Sequence, residues 1–242
     1  MTDRPKRWPL VEVIAEFRFP EETWSEDIPD RLYRVLKDRF PVRKKLDMTT
    51  HQLSWGPGKH SSSQETFKRH QFFSSDGVRL VQLNKGLLTV NHLQPYSDWD
   101  VFRPVIETAF AAFLEVVPEA KPNALALTYI NRIEIKGEHI DIDDYFEFRP
   151  RMEEDFVQCG CMAVHAWEEG GGVITRQMQT QTQSAEPGKL PVSLVLQAVA
   201  DRITGDRYLD WFERAHEKLN QEFKSSITAV TRAMFENNGG DA

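Results

Sequence analysis

The chain has 242 residues, with 37 Asp and Glu against 30 Lys and Arg, for a formal net charge of −7. Its 40% hydrophobic and 28% charged content exclude a disordered chain, and its length admits one large domain or two small ones. The acidic balance argues against broad, sequence-independent nucleic-acid binding, which depends on cations neutralising phosphates.

Residues 10–19 alternate. Val11, Val13, Ala15, Phe17 and Phe19 form an apolar face, and Glu12, Ile14, Glu16 and Arg18 a mostly charged one. Pro20 stops this strand. A helix over 29–39 follows, with Asp27 as its cap, Pro29 in its first turn and Ile28, Leu32, Val35, Leu36 and Phe40 as its apolar stripe. From 42 to 60 the pattern is weak: a strand near Leu53, then a loop running from Trp55 through Ser63. Strands at 65–73, 78–83 and 87–92 are separated by turn residues, which predicts an antiparallel meander. Ser97 caps a helix reaching about Val117, with Phe102, Ile106, Ala109, Phe110 and Phe113 on its apolar side; Pro104 predicts a late start or a kink.

Residues 125–136 form the most informative strand. Leu125, Leu127, Tyr129, Asn131, Ile133 and Ile135 point one way, and the opposite face ends in Arg132, Glu134 and Lys136. A dry core cannot hold that row, because each unpaired buried ion costs several kcal/mol against a total stability of roughly 5–15 kcal/mol. The row must meet water, opposite charges or a polar ligand. A connector with one helical turn at 143–146 leads to strands at 156–167, 173–184 and 192–201, then to a single long helix over 206–235 and a frayed tail.

The expected fold class is α+β with antiparallel sheets: two pseudo-repeated β-β-β-α units, each backed by a long helix. The boundaries read as an N-terminal unit at 1–137, a connector at 138–155, a C-terminal unit at 156–236 and a disordered tail at 237–242. One continuous domain is the alternative.

No secretory signal is visible, and no window approaches the roughly 20 apolar residues of a spanning helix. Cys159 and Cys161 lie too close on one strand for an unstrained bridge. Two free thiols without a signal predict a cytoplasmic protein. Metal binding by this pair needs further ligands at suitable spacing, and none lies nearby, so no metal and no cofactor is expected. Two basic clusters, Arg4 with Lys6 and Arg7, and Arg43 with Lys44 and Lys45, read as solvated chain.

Several strings occur together: Pro9 to Val13 running into Glu16 to Phe19, Tyr96 with Trp99, the Tyr-Ile-Asn-Arg-Ile run from Tyr129 to Ile133, and Trp211, Ala215, His216, Phe223 and Lys224. Over nearly its whole length the chain resembles a sporadically distributed bacterial protein family with that strand motif, for which no activity is established. The resemblance implies a class of protein, and its patchy distribution implies mobile loci such as phage-defence or toxin–antitoxin modules.

Four constellations carry chemistry. Glu12, Glu16 and Arg18 with Arg132, Glu134 and Lys136 would pair across neighbouring strands or line a charged groove. Their nearest enzymatic analogy, an alternating Glu-x-Glu-x-Lys strand, is broken by Ile14 and Arg18. Asp141, Asp143 and Asp144 suit a divalent cation or, more simply, a helix cap. His216, beside the apolar stripe of the last helix, reads as a boundary residue. Thr175, Gln177, Gln179, Gln181 and Gln183 make an uncharged amide face that would suit strand addition if it lay at an edge.

The leading expectation is a non-enzymatic interaction protein. It would recognise a protein partner, such as one encoded by a neighbouring gene, or a polar ligand, through Glu12, Glu16, Arg18, Asn131, Arg132, Glu134, Lys136 and His216. The alternatives are a metal-dependent phosphoryl-transfer or nucleotide-processing enzyme, and a subunit contacting RNA or DNA locally through the basic N-terminus.

Overall fold

The computed structural model describes residues 9–56, 59–137, 139–150, 158–181, 188–201 and 207–236, and within these the side chains outside 50–65. The N-terminal basic cluster, Gln183, the tail and the side chains of Trp55 and Gln181 lie outside the described residues. Among the described residues there are nine β-strands and four α-helices, and the strand registers described are antiparallel, so the fold is α+β.

The chain divides into two compact units that interleave in sequence. One comprises Glu16–His92 and Asp100–Asn123; the other comprises Met1–Ala15, Leu93–Trp99 and Ala124–Ala242. The strand order is Val42–Gly56, Lys59–Phe73, Arg79–Asn84, Leu87–Leu93, Leu10–Arg18 in the first and Leu10–Arg18, Ala124–Lys136, Lys189–Asp201, Gly172–Gln181, Gln158–Trp167 in the second, with residues of Leu10–Arg18 in both.

The first unit uses β1 (Leu10–Arg18), α1 (Ile28–Leu36), β2 (Val42–Gly56), β3 (Lys59–Phe73), β4 (Arg79–Asn84), β5 (Leu87–Leu93) and α2 (Trp99–Val116). The apolar face of β1 is its core face. Phe17 stacks on Phe110 with centroids 4.4 Å apart, and Phe19 meets Phe113 at 4.7 Å. Burying each such ring contributes roughly 1.5–3 kcal/mol relative to leaving it exposed. Pro104 neither delays nor ends α2, which runs on through Val116. The weak segment at 42–60 is strand almost throughout: β2 and β3 are 15 residues each and pair from Val42↔Phe73 to Gly56↔Lys59. Ser61, Ser62 and Ser63 therefore sit in β3 and not in a loop.

The second unit uses β6 (Ala124–Lys136), β7 (Gln158–Trp167), β8 (Gly172–Gln181), β9 (Lys189–Asp201), α3 (Tyr208–Ser226) and α4 (Ala229–Glu236). β6 pairs with β9 from Ala124↔Asp201 to Lys136↔Lys189. The face bearing Leu125, Leu127, Ile133 and Ile135 joins Leu190, Val192, Leu194, Leu196 and Ala198 in the core, and Phe212, Ala215 and Leu219 of α3 are buried too. The single helix expected over 206–235 is two helices. Ile227 leaves helical geometry to bridge Phe146, and Thr228 Oγ1 donates to Asp144 O at 2.6 Å. These tertiary bonds outweigh local propensity.

Candidate functional site: the open face of the second unit's sheet

Period-two alternation makes one side of β6, β9, β8 and β7 the α3 side and leaves the other open. The registers place the open-face residues in cross-strand rows. Ala126, Val199, Val173 and Ala166 form the first, and Thr128, Gln197, Thr175 and Val164 the next. Ile130, Val195, Gln177 and Met162 follow, then Arg132, Ser193, Gln179 and Gly160. Beyond them, Glu134 faces Pro191 and Lys136 faces Lys189. The surface therefore mixes apolar with hydroxyl and amide side chains over three rows and turns charged from Arg132 to Lys136.

This face is accessible except on the first half of β6, where Ala126 and Thr128 are buried. Arg132, Glu134 and Lys136 are exposed while Ile133 and Ile135 between them are buried. Met162 and Val164 keep 66% and 56% of their surface, high for apolar side chains. Gln197 Nε2 donates to Thr128 Oγ1 at 3.0 Å, so at least one amide is already oriented. Glu134 lies 3.7 Å from both Lys136 and Lys189, and such exposed pairs are worth about 0–1 kcal/mol. A bound partner could replace them at little cost.

The charged row of β6 and the glutamine face of β8, unrelated in sequence, thus share one surface. β8 lies between β7 and β9 and is paired on both sides, so strand addition along β8 is ruled out. Gln177 and Gln179 offer side-chain amides only.

Other residues of the expected set are elsewhere. β1 and β6 are neighbours, but no ion pair described for their charged residues joins the two: Arg18 Nη2 meets Glu16 at 2.9 Å on β1, and Glu134 meets Lys136 on β6 and Lys189 on β9. Glu16 and Arg18 belong to the first unit and Glu12 to the second. Asn131 points to the α3 side, is 3% exposed, and its Nδ2 donates to Leu194 O at 3.1 Å, so it joins strands and is not available for binding. His216, on α3, also lies on that side, against Tyr129 and Trp99. Asp141 accepts a bond from Asp143 N at 2.9 Å and caps a short 3-10 turn, the capping role.

The sequence reading missed a cluster under α3. The buried Glu222 carboxylate collects Lys218 at 2.9 Å, His165 at 3.3 Å and Arg176 at 3.6 Å. Arg176 also lies 4.7 Å over the Phe148 ring. A buried carboxylate demands such compensation, and here two cations, Lys218 and Arg176, and the His165 ring supply it. Lys218 and Glu222 at i and i+4 on α3 were the only sequence signal. On β7, burial pushes the Cys161 thiol up, with the neighbouring Cys159 adding to it, which makes Cys161 a poor nucleophile at neutral pH. Both cysteines are free.

At the start of α3 a cleft of about 680 Å³ is lined by Glu168, Glu169, Asp210 and Glu217, with Arg207 and Arg214. Among the described residues, no three His, Cys, Asp or Glu converge as a metal-binding group. Also among them, no helix is long and apolar enough to cross a membrane. Compared with known proteins, the chain matches no family model and no curated protein.

Proposed function

We propose that the chain is a non-enzymatic binding protein that recognises a protein partner through the open face of β6, β9, β8 and β7. The observation that carries this reading is the order of the strands across the face. β7 brings the exposed apolar side chains Met162 and Val164, β8 and β9 the amides and hydroxyl of Gln177, Gln179 and Ser193, and β6 the charges Arg132, Glu134 and Lys136 onto one surface. A protein partner offers all three kinds of complement, whereas a small polar ligand needs only the middle. The pairing of Glu16 with Arg18, and of Glu134 with Lys136 and Lys189, favours this over a phosphoryl-transfer site, which would gather those acids around one reacting group. Two free cysteines support placing it in the cytoplasm. The mobile defence or toxin–antitoxin setting rests on the family resemblance, and the identities of neighbouring genes test it.

The decisive experiment captures partners from the native cell with the wild-type chain and with Arg132→Ala and Gln177→Ala, then measures affinity with the purified partner. Each substitution should weaken binding about tenfold, or ~1.4 kcal/mol, while the melting temperature stays within a few degrees. Unchanged affinity in both variants would refute the assignment of this face.

A further inference from the structure

β7 is the edge strand of the second unit. β8 pairs with it along all 10 residues, and no other described strand meets it. Alternate residues of a strand direct their N–H and C=O groups to opposite sides, so β7 turns one backbone row away from β8. Its register is continuous from Gln158↔Gln181 to Trp167↔Gly172, so no bulge interrupts that row.

Edge strands are ordinarily guarded by charge, proline or a bulge, because an open row pairs with any strand that reaches it. β2, the edge strand of the first unit, follows this rule with Arg43, Lys44, Lys45 and Asp47, all exposed. β7 carries no Lys, Arg, Asp, Glu or Pro. It instead presents Met162 and Val164, the most exposed large apolar side chains among the described residues. α3 packs chiefly over β6 and β9 and does not wall off the α3 side of β7, where Cys159, Cys161, Ala163 and His165 are only half-buried.

We propose that β7 is the seam of a homodimer, two copies joining antiparallel, edge to edge, about a two-fold axis beside Ala163. Such an axis is normal to the sheet, so the open face of one copy continues into that of the other. Residues equally far from Ala163 then stand opposite each other, and the strand reads nearly alike in both directions. Met162 faces Val164 of the second copy, Gly160 faces Ala166, and Cys161 faces His165. Apolar meets apolar and small meets small. Two copies also meet without repulsion at the seam, although each chain carries a net −7. A charged partner strand would find no counter-charge there. The dimer needs the edge of β7 and partner recognition the sheet face, so either can fail without the other.

Sedimentation equilibrium of the purified full chain, with no partner present, tests the seam. One strand pair is a small interface, so a monomer–dimer equilibrium with a dissociation constant on the order of 10 μM is expected. Met162→Lys or Val164→Lys replaces an apolar cross-strand contact with two like charges near the axis, and each should weaken the dimer at least tenfold. Val230→Lys, at a comparably exposed apolar position on α4, should leave it unchanged. Ala163→Cys, in a chain also carrying Cys159→Ser and Cys161→Ser, should form an intermolecular disulfide on oxidation. Residues opposed at the axis have Cα atoms about 4.5–5.5 Å apart, within disulfide reach. This cross-link decides the matter if the lysine variants fail to fold. A chain still monomeric at about 100 μM, tenfold above that dissociation constant, would overturn the proposal. So would a dimer indifferent to both lysine substitutions, or one that Ala163→Cys does not cross-link.

Discussion

His216 lies flat on Trp99, with ring centroids 4.4 Å apart and planes 5° from parallel. Its two nitrogens are also engaged, Nδ1 by the Tyr129 hydroxyl and Nε2 by Asn220 Nδ2 at 3.0 Å. Trp99 Nε1 in turn donates to Glu213 at 2.9 Å. An amide nitrogen only donates, so Nε2 accepts, the imidazole proton sits on Nδ1, and the Tyr129 oxygen receives it. The motif Tyr and the α3 His are thus one polar anchor between helix and sheet.

Tyr129→Phe should therefore cost about 1–2 kcal/mol, because it leaves a largely enclosed Nδ1–H without its acceptor while ring volume is kept. For a chain of this size the melting temperature should fall by roughly 2–8 °C. Trp99→Leu should cost more, since a ring 2% exposed loses its stack and its hydrogen bond together. A Tyr129→Phe melt indistinguishable from wild type would show that the contact carries no stability.

The three glycines leading into β8, Gly170, Gly171 and its first residue Gly172, should respond differently to the same methyl group. Gly171 has φ 66° with open space around it, so Gly171→Ala meets only the left-handed penalty of roughly 1–2 kcal/mol. A Cβ at Gly172 would lie 1.8 Å from Val199 O, and one at Gly170 would lie 2.0 Å from the Trp167 ring. Neither neighbour can yield: one is backbone of β9, and Trp167 is a buried side chain. Gly172→Ala should break the β8–β9 pairing and abolish cooperative unfolding, while Gly171→Ala retains it. Denaturant titrations followed by tryptophan fluorescence distinguish these outcomes, and equal effects at both positions would contradict the close approach.

How much of this was legible depends on whether burial imposes a period. β6 was readable because Leu125, Leu127, Ile133 and Ile135 meet one core while Arg132, Glu134 and Lys136 meet water. The long β2–β3 hairpin was not, because its sequence from Thr49 to Thr66 is almost entirely polar and leaves no hydrophobic alternation to detect. The break between α3 and α4 was hidden for another reason: helical spacing continues to Val230, and the partners that interrupt it, Phe146 and Asp144, lie over 80 residues away. The residues of the sheet face could be named singly, but β6 and β8 are joined only through β9, whose register no local pattern encodes. Glu222 with His165, Arg176 and Lys218 stayed invisible because three separate elements supply them.

In the turn between β3 and β4, Asp76 should govern part of the acid stability. Its carboxyl is held down to about 2, first by the Ser74 hydroxyl, then by Val78 N–H and by Arg79. Those bonds measure 2.5, 3.0 and 3.0 Å. The folded state therefore binds this proton less readily than the unfolded chain, whose Asp titrates near 3.9. The contribution is complete above that value and disappears as pH falls through about 2. The difference between the two values caps it near ~2.5 kcal/mol, but the side chain is 49% exposed and solvent screening reduces this to about 1 kcal/mol or less. Asp76→Asn should thus be less stable than wild type by about that amount at pH 6, the gap closing between pH 4 and 2. Urea unfolding of both chains across this range measures it directly. A gap that widens on acidification would have the opposite sign and would mean that the turn does not hold the ionised carboxylate.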